Sequence, residues 1–311
     1  MTILITAILD AGRSAVDIAI FTFLPLMIVT FSLMRYLEGV SVLRSVVAKA
    51  NPVFRFFGLD GLGVLAVAQL SFVSSAAPVA ALSLLAHKNT SERSLAGAFA
   101  AVLTAAPANA SLPLATIGVD PVLIILNGIC GALVASTLAY WVVGHRQPSP
   151  KNVCEREEPP RQVAARLDLL SAINRGGADA IRMIAAILPV LVASLAMVKL
   201  IQNSGAFSAL MSVVTPLLQM LGVSQADLLL FLTKCLAGSS AAMALLFDIQ
   251  KETPLSNDQI IHSSALLLNP LDVPGLSILI ASVPGLRPVA RVAIVSALAG
   301  IAVRVAISSC V

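Results

Sequence analysis

The stretch ADLLLFLTKCLAGSSAAMALLFDIQ, residues 226–250, decides the fold. It is long enough to cross a bilayer once, because the hydrocarbon core takes about 20 apolar residues at the helical rise. Its centre, CLAGSSAA at 235–242, is a run of small residues that a continuous membrane helix does not need. The reading is a re-entrant hairpin: two half-helices of about eleven residues each, entering and leaving by the same face. A second stretch, LGVLAVAQLSFVSSAAPVAALSLLAH at 62–87, has the same plan around SFVSSAAP at 71–78.

Working outward, the whole chain is built of such apolar stretches. Of its 311 residues 58% are apolar and 12% charged, with a mean hydropathy of +0.94. A soluble domain carries about twice that charge, so a cytosolic enzyme, a disordered chain and a nucleic-acid-binding protein are excluded. Apolar stretches at 14–36, 92–117, 120–144, 177–202, 204–221, 257–284 and 288–310 join the two hairpins. The fold class is an all-α polytopic membrane protein. The net charge of +4 implies no anionic ligand, since the excess basic residues sit in connecting loops, where membrane insertion places them. Cys130, Cys154, Cys235 and Cys310 have neither a CxxC pair nor a metal-ligand spacing and read as small apolar fillers. No basic region precedes the first apolar run, so no cleaved signal peptide is expected.

The order of elements repeats. An offset of 164 residues superposes Leu24-Pro25 on Leu188-Pro189, Arg35 on Lys199, Pro52 on Pro216, Gly58 on Gly222 and Ser75 on Ser239. Further on the register drifts, with Pro107 opposite Pro270 and Asn109 opposite Asp272. The expected organisation is a first repeat at 1–144, a polar linker at 145–176 and a second repeat at 177–311. Each repeat holds a scaffold helix, an interfacial amphipathic helix, a hairpin, a broken helix and a further crossing. Val40–Phe57 supplies the first interfacial helix, with Arg44, Ala48, Asn51 and Arg55 on one face.

Loop charge sets the orientation. Segment 36–60 carries Arg44, Lys49 and Arg55, whereas its counterpart 203–226 has no lysine or arginine. Basic loops stay cytoplasmic, so equivalent loops lie on opposite sides and the repeats are inverted. The linker at 145–170 is expected in the cytoplasm and both termini in the periplasm, in the inner (plasma) membrane.

The broken helices carry the chemistry. Residues 92–117 contain TAAPANASLP at 104–113, and 257–284 contain NPLDVP at 269–274. Proline removes a backbone donor and clashes with the preceding turn, so both spans should unwind near mid-membrane, which is tolerated only beside a cavity or within protein. Asp272, between Pro270 and Pro274, is the candidate substrate, cation or proton site; it can equally cap the second half-helix. Lys234, too deep to snorkel easily, can bind an anionic group, stand in for a coupling cation or pair with Asp272. Asn109, Ser111 and Asn269 can present amide and hydroxyl groups to a polar ligand or cap half-helices. Ser74, Ser75, Ser239 and Ser240 at the tips, and Gln69 and Thr233 just before them, complete the candidate binding set. His262 reads as an interfacial residue. HExxH, GxSxG and the GxxxxGK[ST] phosphate loop are all missing, so no enzyme is expected.

This succession of elements resembles the core of concentrative nucleoside transporters and the nucleoside-recognition (Gate) proteins, which include spore maturation proteins A and B. The resemblance covers about 14–144 and 177–310. Where the transporters carry a Gln-Thr-Glu-Ala-Pro type sequence at the first hairpin tip, this chain has Ser74-Ser75-Ala76-Ala77-Pro78, with Ala76 in the acidic place. The resemblance implies a secondary transporter of a small polar organic solute, nucleoside-like, working by an elevator motion coupled to H+ or Na+ through Asp272. It needs no cofactor and no metal and is expected as a homo-oligomer in the lipid bilayer. The same kinship admits a non-transporting scaffold or a subunit of a hetero-oligomer, and an ion or metal permeation pathway is a third class.

Overall fold

The computed structural model describes residues 2–39, 52, 54–72, 77–87, 91–146, 169–203, 225–252 and 255–310. Most of the expected interfacial helix at 40–57, its counterpart at 204–221, residues 147–168 of the polar linker and the first hairpin tip with Ser74 and Ser75 lie outside them, whereas 169–176, expected as linker, belong to the helix Leu169–Asn203. Among the described residues the chain is helical throughout, without strands. Three helices are long and apolar enough to cross a membrane: Glu92–Ile117, Pro121–Val143 and Pro284–Ser308. The chain is an all-helical membrane protein.

Two long helical pieces pair on one side. The first comprises α1 (Thr2–Val16), a π-helical stretch at Asp17–Phe23 and α2 (Leu24–Gly39). Pro25 has no N–H to return to the preceding turn and its ring crowds it, and the wide π turns lie immediately upstream. Both α1 and α2 pack against the helix Leu169–Asn203. An alanine Cβ at Gly176 would collide with the backbone of Phe31 and Ser32, so the helices touch main chain to main chain there. Arg35 closes the pair, donating from Nη2 to Asp179 Oδ2 at 2.7 Å.

The hairpins and broken helices form the rest. The helices α3 (Gly61–Phe72) and α4 (Pro78–His87) pack on each other, as do Gln225–Ala237 and Ser239–Glu252. Each pair is thus two short helices packed side by side. Asp60 anchors the first hairpin: its Oδ1 accepts from Gly63 N at 2.8 Å, and its Oδ2 accepts from Ser94 Oγ at 2.7 Å. At the start of the second, Asp227 Oδ1 accepts from Ser263 Oγ at 2.7 Å. In each case an acid at the beginning of a hairpin is tied to the neighbouring broken helix. At the second tip Gly238 has φ +91°, a left-handed conformation that glycine adopts without the penalty of a Cβ.

Both breaks fall where the prolines require. The first span runs as α5 (Glu92–Thr104), then Ala108–Ser111 and a 3₁₀ turn at Leu112–Ile117. Pro107 disfavours helical geometry at Ala106, and α5 stops just before it. The second span runs as Asn257–Leu267 and then Val273–Ser282. It opens with a reciprocal capping box between Ser256 and Gln259. Two long helices follow the breaks in turn, Pro121–Arg146 and Ala290–Ser308. The latter packs on both α5 and Pro121–Arg146, and these three make the centre of the molecule. Glu92–Ile117 is almost wholly enclosed, whereas Pro121–Val143 and Pro284–Ser308 turn large apolar side chains such as Trp141, Val295 and Leu298 outward, as lipid-facing helices must.

Candidate functional site

The two breaks and the second hairpin tip meet in a cluster of buried polar groups. Lys234 lies in the last turn of Gln225–Ala237 and is 2% exposed. Its ammonium donates to Asn269 Oδ1 at 2.9 Å and to the carbonyl of Leu271, both in the unwound segment of the second broken helix. Asn269 is held in turn by Nδ2 donating to Leu266 O at 2.8 Å, and its Oδ1 also accepts from Leu271 N at 3.2 Å. Ser239, first residue after the tip, donates to Asn269 O at 2.7 Å and more weakly to Asp272 Oδ2 at 3.4 Å.

Asp272 is the N-cap of Val273–Ser282, its Oδ1 accepting from Gly275 N at 2.7 Å. Its extended backbone lets the carboxylate reach an orphan N–H of the first turn, where the helix dipole also favours negative charge. Both carboxylate oxygens lie 3.8 Å from where a Cβ would stand on Gly238, so the tip faces the cap directly. Lys234 feels the charge of Asp272, but among the described residues the two make no direct ion pair. Lys234 instead bonds neutral oxygens, because the unwound 268–272 segment offers acceptors that no helix satisfies.

A residue that sequence reasoning missed ties the two breaks together. Arg304, in Ala290–Ser308, is 0% exposed. Its Nη1 donates to Thr104 O at 2.6 Å and to Leu268 O at 2.9 Å. These are terminal carbonyls of the first half-helix in each broken span, left without intrahelical partners and carrying the negative end of the dipole. Its Nε and Nη2 have no hydrogen-bond partner among the described residues. The stem reaches this point because glycines line its path: a Cβ on Gly131 would meet Arg304 Cδ at 2.7 Å and Gly300 O at 2.8 Å, and one on Gly300 would meet Thr104 Cγ2 at 2.9 Å. The available signal was an arginine inside an apolar helix, a costly placement that marks function; its position near the end of the last stretch reads from sequence as an interfacial anchor.

The other candidates are placed as follows. Ser111 is fully buried and donates to Pro107 O at 3.0 Å, and Thr233 donates to Leu229 O at 2.9 Å. Both hydroxyls thus bond a carbonyl four residues back on their own segment. Asn109 is buried on Ala108–Ser111, which packs against Ser239–Glu252. Gln69 is half-buried on α3, its Oε1 without a hydrogen-bond partner among the described residues, and Ser240 is half-buried beside Ser239. His262 is exposed, with Nδ1 3.3 Å from Ser309 Oγ, in keeping with an interfacial residue. Lys234, Ser239, Asn269 and Asp272 are therefore brought together. The remaining candidates surround the cluster at various distances along the hairpins and breaks, or lie outside the described residues.

No family model and no curated protein matches the chain. Solved structures do. The concentrative nucleoside transporter CNTnw in an inward-facing substrate-bound state is similar, with a TM-score of 0.66 and 17% identity over 97% of this chain and 81% of that one. A substituted CNTnw in an outward-facing state gives a TM-score of 0.66 at 17% identity, covering 97% and 82%. One in an intermediate state gives 0.60 at 16% identity, covering 96% and 82%. At these identities the likeness is one of fold: this chain has the helical architecture of concentrative nucleoside transporters.

Proposed function

We propose that the chain is a secondary active transporter of a small polar organic solute of nucleoside-like size, coupled to H+ or Na+. The observation that carries this reading is the meeting of both helix breaks at one buried polar cluster, with the second hairpin tip closing on it. Half-helix termini there offer partial charges of both signs to one ligand. The likeness of fold to a transporter seen in inward-facing, outward-facing and intermediate states supports it.

In this reading the hairpins and broken helices carry the solute in an elevator motion against the scaffold formed by 2–39 and 169–203. The contact between them is apolar and suits sliding: Phe23 meets Phe247 edge-on at 6.3 Å, beside Met27, Met243 and Leu246. The repeats are inverted, with the 145–170 linker cytoplasmic and the termini periplasmic.

A second reading, a non-transporting scaffold or subunit of a hetero-oligomer, draws on a specific observation: Lys234, Ser239, Asn269 and Asp272 all find hydrogen-bond partners within the chain. Uptake separates the two. Purified protein in liposomes should accumulate a radiolabelled nucleoside, nucleobase or other small polar solute against its gradient when a pH or Na+ gradient is imposed. Asp272→Asn, which retains a capping oxygen, should fold and lose most of that uptake. Unchanged uptake by this variant would remove Asp272 from the site, and no uptake of any solute in the panel would leave the scaffold reading.

A further inference from the structure

The second break holds a set of oxygen donors of the kind that binds a hard monovalent cation: a side-chain amide oxygen, an unwound backbone carbonyl and a carboxylate at close range. The first two are Asn269 Oδ1 and Leu271 O, and the carboxylate is that of Asp272, linked to Asn269 through the Ser239 hydroxyl. What occupies the first two is the ammonium of Lys234. An ammonium is a compact point charge with three donors and no acceptor, carried on a four-carbon stem long enough to reach across the hairpin. Asn269 Oδ1 is itself fixed by the Leu271 N–H and by the bond from Asn269 Nδ2 to Leu266 O, so the donors stand ready for a cation.

We propose that Lys234 is a tethered cation seated between Asn269 Oδ1 and Leu271 O in an alkali-ion site that the Asp272 carboxylate borders, and that removing the ammonium opens this seat to Na+. The charges argue the same way. Among the described residues the buried ionised side chains are Lys234, Asp272 and Arg304. A mobile cation added beside Lys234 would be repelled at low dielectric, whereas without Lys234 its charge no longer offsets Asp272 and a cation is drawn into the vacated seat, Arg304 being bonded to the carbonyls of Thr104 and Leu268 instead. For coupling, which rests on the transport reading, the consequence is that Na+ does not bind at this break in the natural protein; the seat itself stands without that reading.

The test is thermal unfolding of detergent-purified protein in NaCl, KCl and choline chloride at equal ionic strength. In the natural protein no part of any Na+ response should depend on Asp272, so Asp272→Asn should leave it unchanged. Lys234→Ala should be less stable in choline and regain stability saturably with Na+, by roughly 5–10 °C at about a hundredfold excess over Kd. Lys234→Ser, which leaves a hydroxyl oxygen, should respond likewise, and adding Asp272→Asn to either should abolish the response. Equal midpoints in all salts for both Lys234 variants would overturn the proposal, as would a Na+ shift in the natural protein that Asp272→Asn abolishes, or failure to recover either variant in any salt. Absence of solute uptake would sink the transport reading alone.

Discussion

Gly131→Ala puts a single methyl group into the close crossing of Pro121–Arg146 with Ala290–Ser308. The new Cβ would stand against the Arg304 stem, 2.7 Å from Cδ, and 2.8 Å from Gly300 O. Real Cβ atoms do not approach carbon or oxygen that closely, so either Ala290–Ser308 moves away from Pro121–Arg146 or Arg304 swings from the carbonyls of Thr104 and Leu268. Overpacking of this kind costs about 1–3 kcal/mol. Alanine recovers up to about 1 kcal/mol as the better helix former, leaving a net loss of about 1–2 kcal/mol. The assay is reversible unfolding in mixed detergent–SDS micelles, with Gly131→Ala measured in the natural protein and in an Arg304→Ala background. Removing the stem should relieve the clash, giving a coupling of about 1 kcal/mol, within the range for residues in contact. A neutral or stabilising Gly131→Ala, or a penalty unchanged in the Arg304→Ala background, would refute the reasoning.

Two further predictions concern the hairpins, both readable by the same unfolding assay. Gly238→Ala has room for its Cβ, the nearest atoms being the Asp272 carboxylate oxygens at 3.8 Å, so its cost of about 1–2 kcal/mol is the left-handed backbone alone, and Gly238→Asn should cost less. Asp60→Ala removes the acceptor for Gly63 N and leaves the buried Ser94 hydroxyl unpaired; a loss of about 1–2 kcal/mol is expected, largely restored in Asp60→Asn.

Where the fold was legible, it was legible for local reasons. Apolar stretches of membrane length, interrupted by SFVSSAAP, CLAGSSAA, TAAPANASLP and NPLDVP, locate hairpins and breaks, because proline and runs of small residues act on the backbone wherever they stand. The described helices end and restart at those interruptions. Asp272, as a short acid beside prolines, could be read as a cap from its neighbours alone, and it is one.

Partner choice was not legible. For Lys234 the sequence leaves three readings open, binding an anionic group, taking the place of a coupling cation or pairing with Asp272; the structure has it bonding Asn269 and Leu271, since oxygens freed by unwinding compete for it. Ser111 and Thr233 look like ligand groups in a one-dimensional reading, yet each hydroxyl turns back to its own segment.

The sequence by itself thus determined where the chain is apolar, where it must unwind and which polar side chains share a depth in the membrane, because those properties depend on a residue and its near neighbours. Only the tertiary structure decided that Arg304 belongs to the site. It becomes central through the approach of Ala290–Ser308 to Pro121–Arg146 at Gly131 and Gly300, which brings one guanidinium between two carbonyls, Thr104 and Leu268, that lie 164 residues apart along the chain. That convergence is a property of packing between distant segments, and no local pattern encodes it.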